Sequence, residues 1–509
     1  MFTQSLTWCL LTQLWTFTVK SIKESFIIRA LMLFFDWITR SVKNSGIYHW
    51  LGKDVFTTKY YETSLLYRFA DSVWTFILKI IRKIQIFTRK AFKDSLSLCL
   101  FDTITSIKIF SIDIIMAVFL GAMFVIPHEK WNNLYFVIVA VIIGFWIVMQ
   151  LASGKAKSLG VRKIGVALFA FMVAILVSTI TALVVSDAIR FALFLIGSLI
   201  FAYSIYLVLD SKEKLVKFIK ILLVFVTITG IYGIVQRIRG VEINLEFVDI
   251  YTNSGMPGRV FSTFSNPNNF AQLLVLFMPF FVPAFVYSNR KTEKILALVG
   301  FCVTFVALLM TYSRSCWVGF ALSAILFVFI YDKRFVIPMA ILVIVAIPFL
   351  PDTIMNRIFT IGSMEDTSNS YRIYIWKSCW EMIKDFGTTG LGLGPASFSV
   401  MYPGYSSPVA VTAPHSHMLY MQIVLETGIL GAVAFFGFIF ALTKKAAGTM
   451  RKMDSEIRCY TAAAISALFG IAFVCCAEYI WFYPRIMFAF WIVPGIMLAL
   501  IRNVQSCDK

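Results

Sequence analysis

The chain has 509 residues, 59% of them hydrophobic and 14% charged, with a mean hydropathy of +0.82, more apolar surface than one water-soluble core can hide. A net charge of +19 would suit nucleic acid, but the Lys and Arg fall in short clusters between apolar stretches rather than on one basic face, as in the loops of a membrane protein. Nine cysteines with no CxxC spacing support neither a disulfide framework nor a structural zinc site.

Residues 1–20 are apolar and aromatic but lack a basic n-region and a small-residue cleavage site, so they do not read as a cleaved signal. Residues 1–108 mix aliphatic and aromatic residues with Lys79, Arg82, Lys83, Arg89, Lys90 and Lys93, and no stretch is cleanly apolar for a full crossing. Two readings fit this basic, amphipathic region. It lies on the anionic inner leaflet, or it forms a small bundle packed on the cytoplasmic helix ends.

Hydrocarbon about 30 Å thick takes roughly 17 to 25 apolar residues to cross. Such runs occur at 109–126, 134–151, 164–185, 191–209, 215–235, 270–287, 295–312, 316–331, 335–350, 419–442, 461–476 and 487–501. The expectation is an all-α polytopic membrane protein with about twelve transmembrane helices, nine of them within 109–350 and three within 418–509. Lys and Arg resist translocation, and their clusters at 155–163, 212–217, 290–294, 333–334 and 444–458 mark alternate loops as cytoplasmic. Both termini are then cytoplasmic, in the plasma membrane.

The outer loops follow by elimination: 236–269, the corner at 312–314, the long segment 351–417 between the ninth and tenth spans, and 478–485. In the long loop, Tyr374, Ile375, Trp380, Met382 and Ile383 recur near a helical period, predicting an amphipathic helix over 371–386 after a start at Asn369 and Ser370. Glycines at 387, 390, 392 and 394 followed by Pro395 end it.

Four outer features carry candidate chemistry. Asn266 and Asn268 around Pro267 suit a tight turn and helix start, either as a plain cap or as the support of Arg259 as an anion binder. Arg314 stands where two apolar helices meet, so it either snorkels to the headgroups or is buried and paired, and two arginines on one face would match phosphate oxygens. Two of the four histidines, His415 and His417, sit before the 419–442 helix; a metal pair, a cap, and a neutral imidazole poised as general base all fit, the last best. Glu426 within that helix is costly unless partnered, and Gly428 and Gly431 suggest close helix packing.

Together these residues resemble the O-antigen ligase and O-antigen polymerase superfamily, over about 235–442. The carriers are Arg259-Val-Phe-Ser-Thr-Phe-Ser-Asn-Pro-Asn, Tyr312-Ser-Arg314, Arg372-Ile-Tyr-Ile-Trp376 with Gly390-Leu-Gly392-Leu-Gly394, and His415-Ser-His417 running on to Glu426-Thr-Gly428-Ile-Leu-Gly431. Met418 stands where the family usually has Asn, and Ser262 where it often has Gly.

The resemblance implies a membrane glycosyltransferase that moves a glycan from a polyprenyl-pyrophosphate donor to a glycan, lipid or wall-polymer acceptor, without metal or cofactor. On that basis His417 is expected to be the base, and Arg259, Arg314 and, secondarily, Arg372 to bind the donor pyrophosphate, with His415, Asn266, Asn268 and Glu426 in support. An ordinary imidazole with a pKa near 6.5 would make transfer slow below about pH 6. Polymerase and ligase are not distinguished, and a polytopic transporter or lipid-linked glycan flippase is the competing class.

Overall fold

A computed structural model describes residues 65–92, 112–132, 165–242, 257–332, 347–362 and 366–505, with isolated positions elsewhere. Contacts divide the chain into two units, 1–55 with 328–350 and 56–327 with 351–509; the site and every contact discussed below lie in the second. Among the described residues the structure is all helix and turn, with one isolated bridge between Ser407 and Ala410.

In chain order the helices are α1 (Leu65–Phe92), α2 (Ile112–Val125), α3 (Val166–Ile180), α4 (Val185–Val208), α5 (Lys212–Arg239) and α6 (Pro267–Phe277), which runs through a tight turn into α7 (Phe281–Tyr287). There follow α8 (Lys291–Met310), α9 (Arg314–Tyr331), α10 (Asp352–Phe359), α11 (Thr367–Phe386), α12 (Pro395–Met401), α13 (Leu419–Thr449), α14 (Ser455–Val474) and α15 (Pro484–Gln505). Local chemistry sets several ends. Ser211 accepts from Lys214 N to open α5, and Gly240 at φ 89° closes it. Asn266 accepts from Asn268 N with Pro267 in the first turn to open α6, as the sequence predicts.

Among the described residues eight helices are long and apolar enough to cross a membrane, against about twelve predicted for the chain. The predicted span 164–185 forms a helix of only 15 residues, short of the roughly 20 needed at 1.5 Å per residue, and the described residues of the span 109–126 hold a 14-residue helix. α3 stops at Ile180 because the backbone beyond it pairs with another segment: Leu183 N donates to Leu391 O at 3.3 Å, and Leu393 N to Ser178 O at 3.2 Å. The predicted spans 134–151 and 335–350 lie largely outside the described residues.

The bundle is built around α15, whose apolar window is 89% buried, whereas that of α8 is 22% buried and faces outward. α15 runs along α4 and also packs on α13 and α14, while α5 is flanked by α2 and α8. Its core is aromatic: Trp481 and Trp491 stack at 6.1 Å, and Phe435 meets Trp481 edge-on at 4.9 Å. The segments 257–266, 351–362, 366–417 and 475–484 gather at one end of this bundle.

Candidate active site at the loop end of the bundle

The segment before α6 is laced in place along its length. Val260 N donates to Met310 O at 3.1 Å, Gln236 Oε1 accepts from Phe261 N and Ser262 N at 3.1 and 2.9 Å, and Ser262 Oγ donates to Thr229 O at 2.7 Å. This fixes Arg259, which is buried. Its Nε donates to Thr311 O at 2.7 Å and its Nη2 to Asn268 Oδ1 at 2.5 Å, so the turn around Pro267 both caps α6 and holds the arginine. Burial pulls the guanidinium down to about 9, still cationic at neutral pH.

Arg314 opens α9 and neither snorkels nor stands free. Nη1 donates to Thr360 O, Thr360 Oγ1 and Asp366 Oδ2 at 2.7, 3.1 and 3.0 Å, and Nη2 to Asp366 Oδ1 and Asn369 Oδ1 at 2.9 and 3.1 Å. Asp366 also caps α11 through Ser368 N and Asn369 N and accepts from Arg357 Nη1 at 3.3 Å. The predicted amphipathic helix therefore starts at Thr367, before the predicted Tyr371, because Asp366 rather than Asn369 is its cap.

α11 carries Arg372 to the centre of the layer. Its Nη2 donates to Glu478 Oε1 at 2.8 Å, and the same oxygen accepts from Asn268 Nδ2 at 3.0 Å. A continuous chain thus joins Arg259, Asn268, Glu478 and Arg372. Burial raises Glu478, and the Arg372 and Arg259 charges oppose that rise.

The histidine segment packs beside this chain. His415 is buried against Phe482 and Tyr479, with ring centroids 4.6 and 5.5 Å away, and its Nδ1 accepts from His417 N at 3.0 Å. Ser416 N donates to Gln422 Oε1 at 2.8 Å, Gln422 Nε2 to Glu426 Oε1 at 2.9 Å, and Tyr479 hydroxyl to the same Glu426 oxygen at 2.8 Å. Glu426 is therefore partnered and sets the histidine segment from one layer below. The His417 imidazole makes no hydrogen bond to the protein, and its Nδ1 is enclosed without a partner. Burial, then the neighbouring His415, then the Arg372 charge hold His417 well below the ordinary 6.5, and burial takes His415 down to about 3.

The helix behind the histidines is broken. Gly428 has φ 69° and ψ 170° inside α13, a conformation open essentially to glycine alone. The glycine-rich run and α3 take up the opened backbone: Leu391 N donates to Leu425 O at 2.6 Å, Ile429 N to Gly387 O at 2.7 Å, and Ser178 Oγ of α3 to Glu426 O. Gly428 thus makes a break against which the backbone of 388–389 closes in, rather than the helix-on-helix contact predicted for it; Gly431 does pack on a helix, at Ala174.

Among the described residues only three non-glycine residues have positive φ: Ser262 at 53°, Tyr312 at 52° and His417 at 52°. One falls in each of three separated motifs, and each such residue costs on the order of 1–3 kcal/mol. The left-handed backbone at Ser262 is one that glycine adopts without the cost of a Cβ.

The structure joins Arg259, Arg372, Asn268, His415 and His417 into one layer, in which Arg259 and His415 are buried and the other three half-buried, with Asn266 as a cap and Glu426 as a support. Arg314 reaches that layer indirectly, through Asp366 and Arg357, whose Nε donates to Tyr312 O at 3.3 Å. Two cavities, about 430 and 390 Å³, are lined by parts of the 259–269 segment. Arg259, Gln236 and Ser262 line the smaller one, Trp131, Tyr483 and Arg485 the larger, and His417 and Arg372 neither. Arg485 is spent on structure, donating to Met123 O, Phe124 O, Ile126 O and Thr263 O between the rings of Trp131 and Phe264.

Sequence reasoning missed Asp366, Arg357, Gln422, Glu478 and Tyr479. Glu478 alone had a usable signal, as a carboxylate in a short loop between apolar spans. The others become partners only through the fold.

Comparison with known proteins gives two findings. Residues 299–436 match the O-antigen ligase family, a stretch that includes Arg314, Arg372, His415, His417 and Glu426 but not Arg259. The chain is also 24% identical over 342 residues to the ComP-specific O-oligosaccharyltransferase of Acinetobacter baylyi (strain ATCC 33305 / BD413 / ADP1). That match covers 64% of this chain and 60% of the length of the relative.

Proposed function

We propose, from the premise that this chain belongs to the O-antigen ligase superfamily through the domain at residues 299–436, that it is a membrane glycosyltransferase. The donor is a glycan on a polyprenyl pyrophosphate at the outer face of the cytoplasmic membrane, and the acceptor is a hydroxyl. The observation that carries this reading is the chain from Arg259 through Asn268 and Glu478 to Arg372, ending beside the imidazole of His417.

His417, held neutral, takes the proton of the acceptor hydroxyl as that oxygen attacks the anomeric carbon from the face opposite the leaving group. The bond from the anomeric carbon to the phosphate oxygen breaks with inversion, and the negative charge passes to the departing pyrophosphate. Arg259 and Arg372 stabilise that charge, which grows only as the bond breaks and is therefore catalytic rather than mere binding. The named cluster of Arg259, Arg314, Arg357 and Arg372 holds four guanidiniums against two carboxylates, Asp366 and Glu478, a formal excess of two positive charges suited to a pyrophosphate.

In this reading the direct donor contact expected of Arg314 passes to Arg259 and Arg372. Arg314 instead positions α11, and so Arg372, through its clasp on Asp366. Likeness to an O-oligosaccharyltransferase favours ligase-type transfer of an assembled oligosaccharide to a separate acceptor over chain elongation.

Reconstitution with polyprenyl-pyrophosphate-linked glycan tests this. Transfer is expected to fall steeply in His417→Ala, Arg259→Ala and Arg372→Ala. Wild-type transfer by all three, with normal insertion, would overturn the assignment. The broken helix at Gly428 is the one observation that favours a transporter, since such breaks form substrate sites there. Movement of the lipid-linked glycan across a vesicle bilayer with no new glycosidic bond would establish that reading instead.

A further inference from the structure

α1 has two faces that no role at the loop end explains. On one side Phe69, Phe76, Ile80, Ile84 and Phe87 follow one another at seven, four, four and three residues, which places them in a single stripe along 28 residues of helix. Every one is exposed, Phe76 by 63% and Phe87 by 71%. Arg68, Lys79, Lys83 and Lys90, also exposed, run alongside that stripe, with Arg82 farther round; among the described side chains Leu65 and Ile86 fall on the basic side.

The helix is tethered at its beginning. Ala70 is buried, and Phe69 meets Phe169 of α3 edge-on at 6.2 Å. Phe169 lies in the first turn of α3, nine residues and therefore about 14 Å along the axis from Ser178, which touches the Glu426 layer. α1 is thus attached at the end of α3 away from the proposed catalytic layer, and the rest of its apolar stripe has no protein cover among the described residues.

We infer that α1 lies in the plane of the bilayer at the lipid–water interface, its Phe and Ile stripe among the acyl chains and its Lys and Arg on the phosphates of anionic phospholipids. Two observations favour lipid over a protein partner, and a third excludes a membrane crossing. The stripe connects, through the Phe69–Phe169 contact, with the apolar exterior of the bundle, where Leu176, Ile180 and Leu193 are likewise exposed. The cations flank the stripe on one side, where an interfacial helix meets headgroups. The helix is too strongly two-faced to cross the hydrocarbon: its six basic residues would all have to enter it.

The test uses the full chain in nanodiscs, with an environment-sensitive fluorophore on single introduced cysteines at Phe76, Phe87 and Thr75, in phosphatidylcholine with and without phosphatidylglycerol. The expected result is blue-shifted emission at 76 and 87, quenched by lipids spin-labelled near the headgroup and less by those labelled at the chain end, with Thr75 remaining open to an aqueous quencher. Phosphatidylglycerol should strengthen this, and Lys79→Glu with Lys83→Glu and Lys90→Glu should remove the strengthening. Strongest quenching by chain-end labels would mean a transmembrane helix. Emission at 76 and 87 open to water would leave the stripe bare, and protection from both water and lipid would point to a protein cover; each of the three overturns the inference. Identical behaviour with and without phosphatidylglycerol overturns its anionic-lipid part. None of these readouts depends on transfer activity, so a failure here is separate from a failure of the proposed function.

Discussion

Arg314 clasps Asp366 with two parallel hydrogen bonds, Nη1 to Oδ2 at 3.0 Å and Nη2 to Oδ1 at 2.9 Å, both partners nearly shut off from water. The pair joins the start of α9 to the cap of α11, two elements 52 residues apart in sequence. Removing one partner leaves the other charge buried with less compensation, which costs about 3–5 kcal/mol in comparable sites. Asp366→Ala should therefore lower thermal stability in detergent markedly. In a double-mutant cycle with Arg314→Ala, the two losses should fall well short of adding; full additivity would show the clasp to be inert.

Arg372→Lys tests geometry separately from charge. The ammonium keeps the cation but loses the planar fork that meets Glu478 and, in the proposed reaction, the pyrophosphate. Loss of a charge-assisted hydrogen bond of about 1.5–3 kcal/mol corresponds to a fall in kcat/KM of roughly 10- to 150-fold. Steady-state transfer assays with lipid-linked donor measure it, and a change under threefold would show that only charge matters there.

The pH profile should differ from that of an ordinary histidine. The sequence predicts slowing below about pH 6, but burial, His415 and Arg372 hold the His417 imidazole neutral well below its usual 6.5. The active neutral base therefore persists as pH falls, and kcat/KM should stay level through pH 6 and drop only at lower pH. Arg372→Gln removes one of the three causes and should move that acid limb upward; an unmoved limb would separate the two residues.

His415 supplies a stability test of opposite bearing. Its folded pKa is about 3 and its unfolded value near 6.5, so below 6.5 the unfolded chain binds a proton that the folded chain refuses. Stability should thus be lost as pH falls, by about 2 kcal/mol between pH 7 and pH 5 from this group alone. His415→Phe, which fits the aromatic box of Tyr479 and Phe482, should shrink that loss in unfolding experiments at the two pH values.

Gly428→Ala should weaken the layer beneath the histidines. A Cβ there would lie 2.5 Å from Thr388 O on a backbone at φ 69°, so the side chain meets both a steric and a conformational penalty. Expected results are a lower melting temperature and new proteolytic cleavage within 387–394. Gly437→Ala, where a Cβ meets nothing within 4 Å, is the matched control.

The amino-acid sequence by itself determined the solvent of this protein, the course of its long apolar helices and the identity of the unusual residues. These are local properties: an apolar run must be helical in lipid, Asn266-Pro267 reads as a helix start, and an arginine or histidine beside hydrocarbon stands out whatever the fold. Tertiary structure alone decided which of those residues meet. Arg314 could be recognised as anomalous but not as the partner of Asp366, because nothing local links two residues across a loop. Glu478 could be seen in a short loop but not as the bridge from Asn268 to Arg372. Gly428 read as packing because a glycine in an apolar helix has that meaning by default. Its role as a break depends on the backbone of 387–391 arriving to satisfy the opened hydrogen bonds, and that is a property of the fold rather than of the helix.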